Sequence, residues 1–134
     1  MARHRRGDSK LYTDWYEYAE RDLAAAGLLY NDPFTLIYAF FHCHQAVEKA
    51  LKGHLLYYNG YAPDGHNLVY LCKKVAEKTK AARGFYELCV DLNSYYINAR
   101  YPSDTNLDIS PQDLYDFRRQ ISELIGMLKN SHKK

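Results

Sequence analysis

A chain of 134 residues, 47% apolar and 15% aromatic, is long enough to bury one real core and too apolar to stay disordered. Its formal charge of +2 is an end effect. Arg3, Arg5, Arg6 and Lys10 lead the chain and Lys129, Lys133 and Lys134 close it, while residues 11–128 carry eleven basic against fifteen acidic side chains. A mildly acidic body argues against a broad phosphate-binding face and leaves the basic ends for non-specific attraction to nucleic acid.

Residues 1–10 read as a flexible basic lead-in. A first helix is predicted from about Tyr12 to Tyr30, with Trp15, Tyr18, Ala19, Asp22, Leu23, Ala26 and Leu29 on one face and Glu17, Glu20 and Arg21 on others. Asn31-Asp32-Pro33 stops it and restarts the chain, with Pro33 expected in the first turn of the next helix. That second helix, from about Phe34 to Tyr58, organises the rest. Leu36, Phe40, Val47, Leu51 and Leu55 recur at helical spacing, and Ala39, Cys43, Ala46 and Ala50 widen the apolar surface. One polar line remains, formed by Gln45, Glu48, Lys49 and Lys52, with Tyr38 and Phe41 beside it.

Residues Asn59 to Gly65 form the clearest loop. A third helix begins near His66 or Asn67, buries Leu68, Leu71, Cys72 and Val75, and frays at Lys78-Thr79-Lys80. A fourth, from about Ala82 to Ala99, buries Phe85, Leu88, Leu92, Tyr95 and Ala99, and Pro102 ends it because the residue before proline avoids the helical region. Tyr101 to Ser110 is a polar connector. Ser110, Pro111 and Asp113 then read as an N-cap with proline in the first helical position, opening a fifth helix with Leu114, Phe117, Ile121, Leu124, Ile125 and Leu128 inside. With no strand pattern and no repeat, the expectation is an all-α bundle of five helices over residues 11–130, followed by a basic tail at 131–134.

Cys43, Cys72 and Cys89 sit within apolar helical patterns, and an odd count without small-loop spacing argues against a disulfide framework. No signal-peptide pattern and no membrane-spanning apolar stretch occurs, so a cytoplasmic protein with no membrane partner is expected.

Two polar lines are candidates for function. On the fourth helix Asn93, Tyr96 and Arg100 follow one another at steps of three and four. An arginine at a helix C-terminus can simply complement the dipole, or present a planar fork to a phosphate or carboxylate. Tyr101-Pro102 fixes where that helix ends, and so where the guanidinium points. On the core helix, Glu48 and Lys52 form an i,i+4 pair in the favourable order, expected to be an ordinary surface salt bridge. His44 and His54 read as packed or partly wet histidines. His66, after a Pro-Asp-Gly turn, either caps the turn or stands at a helix N-terminus suited to anions. Metal-ligand spacing is not met: His42-x-His44 places two rings about 200° apart on a helix, and no Cys-x-x-Cys or His-Glu-x-x-His occurs. There is no Gly-rich phosphate loop, no nucleophile elbow and no paired carboxylates, so no metal and no cofactor are expected.

Taken in order, Trp15…Ala19…Asp22-Leu23…Ala26, the run His44 to Lys52, His66-Asn67-Leu68…Leu71 and Ala99-Arg100-Tyr101-Pro102 resemble the HEPN domain family over about residues 10–130. The resemblance implies an antiparallel up-and-down bundle that forms homodimers and is often encoded beside a minimal nucleotidyltransferase. Several branches of that family are RNA-cutting toxins of toxin–antitoxin pairs. Their signature is an arginine followed a few residues later by a histidine, and the two meet across the dimer cleft.

Carried over, Arg100 matches the arginine, but Thr105, Asn106 and Leu107 stand where the histidine belongs. Arg3 or Arg5 as the arginine finds no suitable histidine either. Without a proton shuttle near neutral pH, RNA cleavage lacks its general acid or base. The expected function is therefore a nucleotide- or RNA-phosphate-binding module partnered with a nucleotidyltransferase. Arg100, Asn93 and Tyr96 would hold the anion, Lys49, Lys52 and His66 would flank it, and Tyr101 would stack or hydrogen-bond. Two competitors stand beside it: a ribonuclease using His66 or His44 as its base, which needs one of those rings near Arg100, and a purely structural dimer.

Overall fold

The structure, a computed structural model, describes residues 7–100 and 110–132, with the backbone alone over residues 97–100. Its centre is α2 (Leu36–Asn59), whose apolar spacing leaves Ala39, Phe40, Cys43, Ala46, Val47, Ala50, Leu51 and Leu55 fully buried. A helix apolar on most sides needs neighbours on most sides. It has them in α1 (Tyr12–Leu29), α3 (Leu68–Ala76), α4 (Tyr86–Arg100) and α5 (Pro111–Ser131).

Small residues set how closely α1 approaches. Ala19 and Ala26 are fully buried, and a Cβ on Gly53 of α2 would stand 2.9 Å from Trp15 Cβ and 3.3 Å from the Tyr12 carbonyl. On the other side α5 inserts Leu114, Ile121, Leu124 and Leu128 into the core. Arg118 of α5 donates from Nε to the Leu23 carbonyl at 3.3 Å, tying α5 to α1. The result is an all-α bundle of five helices, and no strand occurs among the described residues. No described helix is long and apolar enough to cross a membrane, and all three cysteines are buried free thiols.

The helix ends follow their local chemistry. Gly60, at φ +80°, closes α2 by donating its N–H to the Leu56 carbonyl. Asn67 caps α3 by accepting from the Val69 and Tyr70 amides. Ser110 and Asp113 form a reciprocal capping box with Pro111 opening α5.

Three local expectations need correction. Pro33 lies in a turn before α2, which starts at Leu36, because Asp32 Oδ1 takes the Phe34 amide at 2.8 Å and the Thr35 hydroxyl donates to the Leu29 carbonyl at 2.7 Å. The fourth helix opens as a 3-10 turn, Lys80–Phe85, and becomes α-helical only at Tyr86, after Gly84 has lowered the helical preference. On α1 it is Tyr16 that is buried, while Tyr18 is 51% exposed and Trp15 straddles the rim with its indole N–H on the Ser9 carbonyl. The alanines draw the close contact to their own face, and the largest rings are left at its edges. The expected burial of Ala99, the stop at Pro102 and the connector over residues 101–109 lie outside the described side chains or residues.

Candidate functional site

The polar line of α2 meets the N-terminus of α3 around one carboxylate. Glu48 is only 6% exposed. Its oxygens accept from His66 Nδ1 at 3.0 and 3.1 Å, and Oε2 also accepts from Lys52 Nζ at 2.9 Å. Lys52 is 7% exposed, so the expected surface salt bridge is instead a buried pair. The reason is tertiary: His66 and the start of α3 fold over that side of α2. A carboxylate out of water needs several donors to stay charged, and Glu48 has them.

The geometry assigns the histidine tautomers. A carboxylate only accepts, so the proton of neutral His66 sits on Nδ1, leaving Nε2 with a lone pair on a half-exposed ring. His44, one turn before Glu48, is fully buried and donates from Nε2 to the His66 backbone carbonyl at 3.0 Å. Its Nδ1 has no hydrogen-bond partner and lies 3.8 Å from Glu48 Oε1. Burial drives the His44 pKa down to about 4 against the upward pull of Glu48. His44 therefore fixes the backbone of His66 while Glu48 fixes its ring.

An aromatic stack closes this side. Tyr96 of α4 lies 4.0 Å from the His44 ring, nearly parallel at 24°, and 5.7 Å from Phe41 at 14°. The His66 ring is 5.6 Å from Tyr96.

The predicted line on α4 divides. Tyr96 joins the two histidines. Asn93 is committed to α3: its Oδ1 accepts from the Leu68 amide at 3.0 Å and its Nδ2 donates to Asn67 Oδ1 at 3.0 Å. Arg100 is the last residue of α4, one turn beyond Tyr96, but its guanidinium and all of Tyr101 lie outside what is described. The two lysines also part company. Lys49 turns toward α1, where Asp22 accepts from its Nζ at 2.6 Å and from His42 Nδ1 at 2.9 Å. Lys52 stays with Glu48 and His66.

Sequence reasoning missed Glu48 as the hub and missed Asp22 with His42. The one available signal was the run His44, Glu48, Lys52, an acid between two bases at steps of four on a single helix. Nothing in spacing could join Glu48 to His66, eighteen positions away across a loop.

The sequence profile of the HEPN domain matches residues 12–131. Among solved structures, the fold is similar to that of TT1696 from Thermus thermophilus, with a TM-score of 0.76 and 24% identity over 91% of this chain and 98% of that one. It is also similar to ST0689, an archaeal HEPN homologue, with a TM-score of 0.66 and 25% identity over 92% of this chain and 98% of that one. No curated protein matches the chain.

Proposed function

The chain belongs to the HEPN domain family, and on that premise we propose that it works as a homodimeric module recognising a nucleotide or RNA phosphate, in partnership with a minimal nucleotidyltransferase. The observation that carries this reading is the buried Glu48, which pairs with Lys52 and holds His66 beside Tyr96, one helical turn ahead of Arg100. Arg100 supplies the phosphate fork, and Tyr96 with Phe41 offers aromatic surface to a base. Fluorescence anisotropy with a short labelled RNA and with ATP tests it. Arg100→Ala should weaken binding at least about tenfold, or about 1.4 kcal/mol, with an unchanged melting temperature. Unaltered affinity removes the site.

A second reading, cleavage of RNA, draws on one specific feature: Glu48 holds His66 through Nδ1 and leaves Nε2 bare on a half-exposed ring. In that reading His66 Nε2 takes the proton of a ribose 2′-hydroxyl, the 2′-oxygen bonds to phosphorus as the P–O5′ bond breaks to leave a 2′,3′-cyclic phosphate, the departing 5′-oxygen takes a proton from water, and Arg100 steadies the charge on the phosphoryl oxygens. His44 is not a candidate base, since it is buried, already bonded through Nε2 and hard to protonate. Incubation with structured RNA separates the two readings. Cleavage that His66→Ala abolishes supports the enzyme, and cleavage that survives it removes His66 as the base.

A further inference from the structure

Two turns beyond Glu48 on α2, a different polar cluster takes no part in that reading. Tyr16 of α1 is buried, and its hydroxyl lies 3.3 Å from His54 Nδ1 on α2 and 2.6 Å from His132 Nε2 at the end of α5. His54 is fully buried, with its other nitrogen 2.8 Å from the Thr79 hydroxyl. Tyr12 and Tyr57 wall the His132 ring at centroid distances of 5.1 and 3.9 Å. A surface cavity of about 490 Å³ adjoins the cluster, lined by Tyr12, Thr13, Tyr16, Glu17, Lys129 and His132.

We infer that Tyr16 Oη, His54 Nδ1 and His132 Nε2 form a binding site for a divalent transition-metal ion of the zinc, copper or nickel class. Among the described residues no three His, Cys, Asp or Glu side chains cluster as metal ligands. Here the third donor is a phenol, and the donors come from three helices. Atoms bonded at about 2.0 Å to one ion stand about 2.8 to 3.3 Å apart for square or tetrahedral angles; the Tyr16–His54 spacing of 3.3 Å lies in that range, and the Tyr16–His132 hydrogen bond of 2.6 Å must lengthen slightly when an ion replaces its proton. The His54 and His132 rings face the same hydroxyl with their centroids 5.1 Å apart. Imidazole nitrogen with one oxygen suits these metals better than calcium or magnesium, which prefer all-oxygen shells.

The surroundings agree with a ligand set. Two imidazole nitrogens face a hydroxyl that has one proton to give. The Thr79 hydroxyl accepts from His54 Nε2–H in the tautomer that leaves Nδ1 bare, the outer-shell bond that usually orients a metal-bound histidine. Tyr16 binds as phenolate once the ion displaces its proton, which is released to solvent. The Lys129 amine on the cavity wall is neutralised by Glu20 at 2.7 Å, and the cavity gives a fourth ligand, water, its way in.

The test uses the full, untagged chain stripped with chelator and titrated calorimetrically with Cu²⁺, Zn²⁺ and Ni²⁺. One ion should bind per chain. The copper form should show two-nitrogen hyperfine structure by electron paramagnetic resonance and a phenolate-to-copper absorption band in the visible. Tyr16→Phe should remove that band and weaken binding about tenfold, and His132→Ala about a hundredfold, with the helical fold of each metal-free variant checked by circular dichroism. Absence of binding at micromolar metal overturns the site. So does stoichiometric binding that neither substitution changes, which would place the ion on another histidine, such as His42 or His66.

Discussion

Glu48 is the side chain whose loss the fold should feel most. Replacing it by alanine leaves Lys52 buried without its acceptor, and a buried charge deprived of its partner costs about 3 kcal/mol or more. The double variant Glu48→Leu with Lys52→Met should recover much of that loss, because an apolar pair of similar volume suffers no desolvation penalty. Urea unfolding of the two variants measures both. A single Glu48→Ala variant within about 0.5 kcal/mol of the parent would show that the pair is not held out of water.

His44 gives a pH signature of its own. Its folded pKa of about 4 lies below the ordinary value near 6.5, so the unfolded chain takes up the proton first. The stability tied to neutral His44 is complete above about pH 6.5 and is lost as pH falls toward 4, on the order of 3 kcal/mol in all. Urea midpoints at pH 7, 5.5 and 4.5 should fall more steeply for the parent than for a folded His44→Phe variant. Parallel curves would mean that His44 protonates freely in the fold.

At the scale of elements, the α1–α2 seam and the α3–α4 clamp each make a prediction. Alanine normally strengthens a helix by about 1 kcal/mol over glycine. At Gly53 the new Cβ meets Trp15 Cβ at 2.9 Å and the Tyr12 carbonyl at 3.3 Å, atoms that move only with the α1 backbone. The clash wins, and Gly53→Ala should lower stability by about 1 to 2 kcal/mol in chemical denaturation. Equal or greater stability would show that α1 slides aside without cost. Asn93→Ala strips the Leu68 amide of its acceptor and removes one of three donors to Asn67 Oδ1, and should cost about 1 to 2 kcal/mol. A loss of nucleotide affinity at unchanged stability would instead make Asn93 a ligand contact. The helices themselves were legible because periodicity and caps are local, as Asn67, Ser110 and Gly60 illustrate. Where α2 begins was less so, since the Asp32 and Thr35 side chains bind backbone groups and take the chain off its helical path.

For the whole molecule, the proposed cleft presupposes two copies. Leu28, Phe34 and Tyr38 stand exposed at or near the α1–α2 connection, and Arg100 ends α4 one turn beyond Tyr96. Size-exclusion chromatography with light scattering should give twice the mass of the chain at micromolar concentration. A stable monomer would leave the phosphate site one-sided and undercut the binding and cleavage readings together.

What the residues alone determined was which segments become helices and which face of α2 lies inward. Both follow from contacts three and four positions apart, within reach of a single sequence. What only the tertiary structure decided was which side chains from different helices meet. Glu48 finds His66 because α3 turns back over α2, and Tyr16, His54 and His132 converge because α1, α2 and α5 pack in one particular rotation and offset. That phase is set by how alanines and Gly53 let the backbones approach, a property of several surfaces fitting at once and not of any one stretch of chain.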